Sequence, residues 1–188
     1  MKVPLTNISQ NIWTYEDYRE LPSDGKTYQV IGGKLFMTPA PSTRHQKICR
    51  NLSFLIWDFV KEHNLGEVYN APIDVVLSSV NVVQPDIVFI SKNRLRIIKE
   101  KGIFGAPDWI IEVTSSSTEK IDVKLKRDLY EHFGVREYWI VYPDDEKIEV
   151  YLLKEGRYRL KGVFSRNETL KSEIIQGLEV NLGDVLKI

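Results

Sequence analysis

The sequence predicts an α/β protein in which a mixed β-sheet is flanked by helices. The first observation is a compact apolar run at 109–113, a helical pattern at 119–133 and a second strand-like run at 137–142. A strand, a helix and a strand in this order form a βαβ unit, whose two strands lie parallel in one sheet. The second observation is a set of short runs rich in β-branched residues earlier in the chain, which is typical of further strands.

The first part of the chain predicts a short helix and a hairpin. Thr14 stands where an N-cap belongs, with Asp17 three residues later, so a helix to about residue 20 is expected. Two strands, 28–31 and 34–37, flank the pair Gly32-Gly33, which is a hairpin signal.

The middle of the chain predicts one long helix and several strands. Residues 42–63 repeat apolar side chains at helical spacing, and Gly66 provides a stop. Strands are expected at 68–69, 73–77 and 82–90, and a short basic helix is expected at 93–101. The apolar positions of the long helix are Ile48, Leu52, Leu55, Ile56, Phe59 and Val60.

The helix at 119–133 has a cap candidate at each end. Ser117 or Thr118 can cap its N-terminus, and Gly134 suits the position after its last turn. After the strand at 137–142, the runs 147–153 and 158–164 predict an antiparallel pair around Glu155-Gly156.

Composition limits the class of protein. The chain has 188 residues, with 26 basic and 26 acidic side chains, so one domain is expected and a strong general attraction to nucleic acid is not indicated. Locally basic segments remain, at 92–101 and 120–127. The single cysteine, Cys49, excludes an internal disulfide, and no apolar run approaches the ~20 residues that cross a bilayer. We therefore expect a cytoplasmic protein without a membrane segment.

Two carboxylates stand out because of where they lie. Asp86 follows Pro85 inside an apolar run, and Glu112 lies within the most apolar predicted strand. An ionised carboxylate is almost never buried without a partner. Each could pair with a cation in a structural ion pair. Two of them in neighbouring strands of one core, near candidate cations, favour a divalent metal site.

The predicted strand at 109–113 has two different faces. Alternation places Asp108, Ile110, Glu112 and Thr114 on one face. Asp108 could thus lie near Glu112, but its place after Pro107, where the strand begins, favours a turn or capping role.

The helix after Glu112 supplies candidates for a third group. Asp122, Lys126 and Tyr130 are spaced by four residues and share one stripe, which could equally be a solvated face with one ion pair. Lys124 and Arg127 are rival cations. An adjacent apolar stripe brings Lys126 or Tyr130 towards the core, and it consists of Leu125, Leu129 and Phe133.

At these positions the chain resembles the Uma2 family of bacterial proteins, which are similar to restriction endonucleases of the PD-(D/E)xK class. The resemblance runs from about Trp13 to Tyr142. It implies one restriction-endonuclease-like domain over 1–188, a mixed β-sheet flanked by helices with additional β-hairpins. The core would span 13–142 and a C-terminal β extension 146–188. The segments that carry it are Gln84-Pro85-Asp86-Ile87, residues 106–115, Thr118, Asp122, Lys126, Tyr130 and residues 134–141.

The same resemblance implies a site. Asp86 and Glu112 would bind Mg²⁺ or Mn²⁺, together with the carbonyl of Val113. The second residue after Glu112 is Thr114 rather than the lysine of the PD-(D/E)xK pattern, and the family places that lysine on the following helix, here at Lys126. The expected activity is endonucleolytic hydrolysis of DNA, and the expected assembly is a homodimer.

Four accessory residues follow from the resemblance: Gln29, His45, Asp122 and Tyr130. Gln29 stands where family members usually carry Glu, and a neutral amide binds Mg²⁺ less readily than a carboxylate. His45 could contact a phosphate near a helix N-terminus, or cap and pack. Three scattered histidines and one cysteine show no zinc spacing.

Two other functions remain open on the sequence. The chain could be a catalytically impaired nuclease fold that acts as a nucleic-acid-binding or interaction module, which Gln29 and the net charge of +0 favour. It could also be a structural subunit that dimerises through the hairpin at 151–160.

Overall fold

The structure, a computed structural model, describes residues 12–22, 24–38, 40–114 and 121–187. Four α-helices lie in this part of the chain: α1 Tyr15–Arg19, α2 Thr43–Glu62, α3 Arg127–Phe133 and α4 Leu182–Leu186. A 3₁₀ turn spans Lys92–Ile97, and a π-helical segment, Ile121–Lys126, leads directly into α3. None of the described helices is both long enough and apolar enough to span a bilayer.

The described strands form two six-stranded sheets and one pair. The first sheet has the order β2-β1-β5-β4-β8-β7, the second has the order β12-β11-β10-β9-β6-β3, and β13 pairs with β14. The strands are β1 Thr27–Ile31, β2 Lys34–Thr38, β3 Gly66–Asn70, β4 Val75–Ser78, β5 Asn81–Val83, β6 Ile87–Ser91, β7 Ile98–Lys99, β8 Gly102–Phe104, β9 Trp109–Val113, β10 Glu137–Tyr142, β11 Lys147–Lys154, β12 Arg157–Ser165, β13 Thr169–Lys171 and β14 Glu179–Asn181.

The second sheet contains the predicted βαβ unit. Strands β9 and β10 pair in parallel, and the chain between them contains α3. Their neighbours β6 and β11 are antiparallel, so the sheet is mixed, as the sequence predicts. The hairpins β1–β2 and β11–β12 are confirmed as well.

Local chemistry explains most of the helix ends. The Thr14 side chain accepts from the Asp17 N–H, and the Asp17 carboxylate accepts from the Thr14 N–H, which completes a capping box. Ser42 caps α2 through the His45 N–H. Gly134 ends α3 in the left-handed conformation, with φ of 81°. The predicted caps Ser117 and Thr118 lie outside the described residues.

Two predicted elements differ from the structure. The run 82–90 is not one strand: β5 ends at Val83, and β6 begins at Ile87. Pro85 has no N–H to donate to a ladder, so pairing stops there. The predicted basic helix at 93–101 is only a 3₁₀ turn to Ile97 followed by the short strand β7, because its β-branched end joins a sheet.

Strand β9 lies between two apolar cores and separates their side chains by alternation. Trp109, Ile111 and Val113 pack in the core under α2. Ile110 packs in a second core, shared with the first sheet and with Tyr130 of α3. Glu112 follows the alternation of Ile110, so a buried carboxylate lies on the α3 side of the sheet.

Asp108 is a structural anchor at the start of β9. Its side chain is fully buried, and Oδ2 accepts from the N–H and the hydroxyl of Ser91 at 2.8 Å each. Oδ1 accepts from Arg94 at 2.9 Å and from Arg136. Burial by itself raises the pKa of Asp108, but these hydrogen bonds and the two guanidinium charges hold it below its usual value.

We expect Asp108→Asn to lower the free energy of unfolding at pH 7 by about 1.5–3 kcal/mol, the range for hydrogen bonds to charged groups. The folded-state pKa lies below the unfolded value of about 3.9, so this contribution is complete above about pH 5 and is lost as the pH falls through the folded pKa. Urea unfolding at pH 7 and pH 3 measures it.

The matched control for this experiment is Asp144→Asn. Asp144 is 83% exposed in its pair with Arg44, so the substitution should change stability by less than about 1 kcal/mol at both values of pH. Equal losses in the two variants, or a difference between wild type and Asp108→Asn that grows towards pH 3, would contradict the anchoring role.

Candidate active site

A cleft of about 670 Å³ opens where the two sheets meet the beginning of α2. Strands β1 and β2, the first turns of α2 and the segment after β3 contribute to its lining. The sequence-predicted residues that line it are Gln29, His45, Asp86, Glu112, Val113 and Lys126. The structure therefore brings both predicted carboxylates and the predicted lysine to one cavity.

Asp86 lines the cleft from the break between β5, which belongs to the first sheet, and β6, which belongs to the second. In the β6–β9 pairing Ile87 lies opposite Ile111, and the same register continued by one residue sets Asp86 opposite Glu112. Asp86 Oδ2 accepts the Val113 N–H at 2.8 Å and lies 3.2 Å from His45 Nε2. The described part of the chain directs no hydrogen bond to Asp86 Oδ1.

Glu112 is held from the side of α3. It is 3% exposed, and its Oε1 accepts from Lys126 Nζ at 2.8 Å and from the Tyr130 hydroxyl at 2.7 Å. Lys126 is itself 3% exposed, and Tyr130 is fully buried. Lys126 lines the cleft, whereas Tyr130 does not; it supports Glu112 from behind.

A solvated face for Lys126 and Tyr130, the alternative on the sequence, is wrong. Leu125, expected at the core edge, is instead exposed. The cause is the π-helical segment that ends at Lys126: it has more residues per turn than an α-helix, so a stripe drawn at α-helical spacing loses its register. The side chain of Asp122 lies outside the described residues.

The structure distinguishes Lys126 from the two rival cations, Lys124 and Arg127, by their exposure and contacts. Lys124 is exposed. Arg127 lies over the ring of Tyr151 at 5.6 Å and pairs loosely with Asp128 at 3.8 Å. Lys126 is the cation that contacts Glu112.

His45 lies in the first turn of α2 and connects Asp86 to Cys49. Its Nδ1 lies 3.5 Å from Cys49 Sγ, while Nε2 faces Asp86. Burial lowers the pKa of His45, but the hydrogen bond to Asp86, the charges of Asp86 and Glu112 and a bond to the Val113 backbone raise it above its ordinary value. Burial, with the same two charges, also raises the pKa of Cys49.

Cys49 is a cleft residue that the sequence reasoning did not place in the site. Ligand atoms of His45, Cys49 and Asp86 all lie within 4.8 Å of one another. The i,i+4 spacing of His45 and Cys49 on one helix face was a readable signal. The contribution of Asp86 was not readable, because it comes from another element.

Gln29 presents an orphaned buried oxygen to the cleft. Its side chain is 4% exposed, and Oε1 has no hydrogen-bond partner in the described part of the chain. A buried polar atom without a partner costs about 1–3 kcal/mol, so such an atom is typical of a ligand site. Gln29, Asp86 and Glu112 line the same cleft, and amide and carboxylate oxygens are the kind of donor that a hard divalent cation binds.

A model of one protein family matches residues 15–183, most of the chain: Uma2, described as "Putative restriction endonuclease". The chain belongs to the Uma2 family. The resemblance predicted from the sequence is thereby confirmed, and family membership supports a nuclease-like function. No curated protein matches the chain.

A protein of known structure has a similar fold. A crystal structure of a "putative nuclease belonging to DUF820" from Anabaena variabilis is similar to this chain, with a TM-score of 0.77 and 20% sequence identity. The match covers 92% of this chain and 97% of the other. It confirms the predicted restriction-endonuclease-like α/β fold.

We expect Tyr130→Phe to lower the free energy of unfolding by about 1.5–3 kcal/mol, because it removes a donor from a buried carboxylate. Urea unfolding measures the change. Tyr28→Phe is the control, since its hydroxyl reaches Asp24 at 2.9 Å in an exposed position and should matter by no more than about 0.5 kcal/mol. Equal effects of the two substitutions would show that the bond to Glu112 does not support the site.

Proposed function

We propose that this Uma2 protein is a metal-dependent endonuclease that hydrolyses phosphodiester bonds in DNA. One observation carries the proposal: Asp86 and Glu112 line a single cleft with a buried lysine, Lys126, bonded directly to Glu112. Two acidic residues can hold a divalent ion, and a lysine beside them can stabilise negative charge on a phosphate that water attacks.

The residues that would hold Mg²⁺ or Mn²⁺ are Asp86 and Glu112, with the carbonyl of Val113 and the orphaned oxygen of Gln29 as neutral donors. A bound ion of this kind polarises a phosphate and lowers the pKa of a coordinated water. The protein fixes the two carboxylates in advance. His45 and the Val113 N–H hold Asp86 by Oδ2, while Lys126 and Tyr130 hold Glu112 by Oε1.

Lys126 has a second task in this proposal. Its side chain is buried where it lines the cleft, and a buried charge acts more strongly than one on the surface. It would offset the negative charge that develops on the phosphate oxygens as water attacks.

In this proposal the first turn of α2 contacts the phosphates of the nucleic acid backbone. This 20-residue helix has no acidic side chain in its first turn, and Ser42, His45 and Gln46 line the cleft there. A helix N-terminus attracts phosphate through its free N–H groups and its dipole. Arg50 adds an exposed cation one turn further along the wall. A homodimer would present two such clefts, one to each strand of a duplex.

A second candidate is a nucleic-acid-binding or interaction module of the same fold without turnover. Gln29 favours it, because a neutral amide replaces the acid usual in the family at a position that lines the cleft. A site with one fewer anionic oxygen binds a hard cation more weakly. Metal affinity and cleavage must therefore be measured separately.

We expect Asp86→Asn and Glu112→Gln each to reduce Mg²⁺-dependent nicking of supercoiled plasmid by at least about 100-fold, the upper end of the loss for outer-shell partners of a metal. Calorimetric titration of Mg²⁺ or Mn²⁺ should show correspondingly weaker binding. Both substitutions preserve the shape of the side chain, but Glu112→Gln removes a negative charge from beside the buried Lys126 ammonium and should lower stability. Circular dichroism and urea unfolding must therefore show that each variant is folded under the conditions of the nicking assay.

Glu67→Gln is the matched control for these two variants, because Glu67 is exposed on β3 and does not line the cleft. It should nick as wild type does. Metal binding without nicking in the wild type would favour the non-catalytic module. Nicking by Glu112→Gln at the wild-type rate would refute the catalytic assignment.

We expect Lys126→Met to reduce nicking by roughly 10²–10³-fold, as the loss of one group that stabilises the transition state does. The same substitution should leave Mg²⁺ affinity unchanged or tighter, because a cation that competes for Glu112 is gone. Lys124→Met, an exposed change on the same helical segment, should alter neither quantity. If Lys126→Met loses Mg²⁺ binding in step with nicking, the lysine acts only by supporting Glu112.

A further inference from the structure

A second set of donor atoms lies against the proposed metal site. His45 and Cys49 are one helical turn apart on α2, and both face Asp86 from the same side. One ligand atom from each of the three residues lies within 4.8 Å of the others. The cluster joins a turn of helix to the interrupted strand, so tertiary folding, not local sequence, creates it.

The chemistry of these donors differs from that of the carboxylate pair. Thiolate sulfur and imidazole nitrogen select borderline or soft ions such as Zn²⁺ and Co²⁺, whereas Mg²⁺ prefers oxygen. Three protein ligands leave the fourth position of a tetrahedral ion open to water or to a further oxygen. Gln29, whose buried Oε1 has no partner in the described part of the chain, lines the same cleft.

The surroundings of Cys49 do not suit an activated cysteine nucleophile. A nucleophilic cysteine needs a thiolate at rest, which positive surroundings supply. Burial and the charges of Asp86 and Glu112 instead raise the pKa of Cys49. The resting group is a thiol, and it becomes a ligand only when a bound cation takes the place of its proton.

We propose that His45, Cys49 and Asp86 form a binding site for a transition-metal ion of the Zn²⁺ or Co²⁺ type, and that this ion excludes Mg²⁺ because both sites share Asp86. Binding releases the Cys49 proton to solvent and involves no change of oxidation state. The consequence for cleavage, inhibition by Zn²⁺, rests on the proposed nuclease function; the metal site itself does not.

Titration of the metal-free protein with Co²⁺ tests the site directly. Cys49 is the only cysteine in the chain, so a thiolate-to-cobalt charge-transfer band can arise from no other residue. We expect the band in the wild type, in Glu112→Gln and in the control His63→Ala. His63 is exposed at the end of α2 and does not line the cleft. The band should vanish in Cys49→Ser, and His45→Ala and Asp86→Asn should each weaken Co²⁺ binding by at least about 10-fold.

Two results would overturn the site. One is the absence of the band in folded wild type, with folding checked by circular dichroism. The other is an equal Co²⁺ affinity in wild type, His45→Ala and Asp86→Asn, which would mean that the thiol binds the ion alone. Glu112→Gln separates the two metal sites, because it should weaken Mg²⁺ binding and leave the cobalt band in place.

Competition between Zn²⁺ and Mg²⁺ is measured as inhibition of plasmid nicking. The nicking rate of each protein in the presence of Zn²⁺ is compared with its own rate in Mg²⁺ alone. Zn²⁺ should inhibit the wild type, and Cys49→Ser should need at least about 10-fold more Zn²⁺ for the same fractional inhibition. Equal sensitivity of the two proteins would overturn the exclusion. A wild type that shows the cobalt band but never nicks DNA would refute the nuclease proposal and leave the transition-metal site standing.

Discussion

The burial of one carboxylate constrains the arrangement of this site more than any other interaction. Glu112 lies in the middle of a sheet that is covered on both faces, where an unpaired negative charge would be strongly destabilising. Lys126 and Tyr130 provide the compensating cation and hydroxyl, and both come from one helical segment. The position of that segment against the sheet is thus coupled to the charge of Glu112, and the same coupling places the ammonium of Lys126 at the cleft.

Asp86 depends on a different constraint, the break in the chain between a strand of the first sheet and a strand of the second. Pro85 lies between β5 and β6, which belong to different sheets, and the carboxylate of Asp86 accepts the N–H of Val113. The oxygen that makes this bond also faces His45. One carboxylate therefore joins an oxygen-rich donor set on the side of Glu112 to a sulfur and nitrogen set on the side of α2. Under the two metal proposals, the ion that the cleft would bind depends on which donor set is stronger, and the neutral amide of Gln29 weakens the first.

The predictions from sequence succeeded where local chemistry is decisive. The capping box at Thr14, the Gly-Gly hairpin and the left-handed Gly134 are all confirmed, because each depends on residues within one turn. They failed where a neighbouring element decides the conformation. The expected strand at 82–90 is broken, the expected helix at 93–101 joins a sheet, and a π-helical segment displaces Leu125 to the surface.

By itself the sequence determined the fold class, the family and the candidate residues Asp86, Glu112 and Lys126, since periodicity and motif order are properties of the chain. Only the tertiary structure decided that these residues line one cleft, that Lys126 rather than Lys124 contacts Glu112, and that Cys49 adjoins the site. The physical reason is that partners of a buried charge come from distant elements. Their distances follow from sheet register and helix packing, which no spacing along the chain encodes.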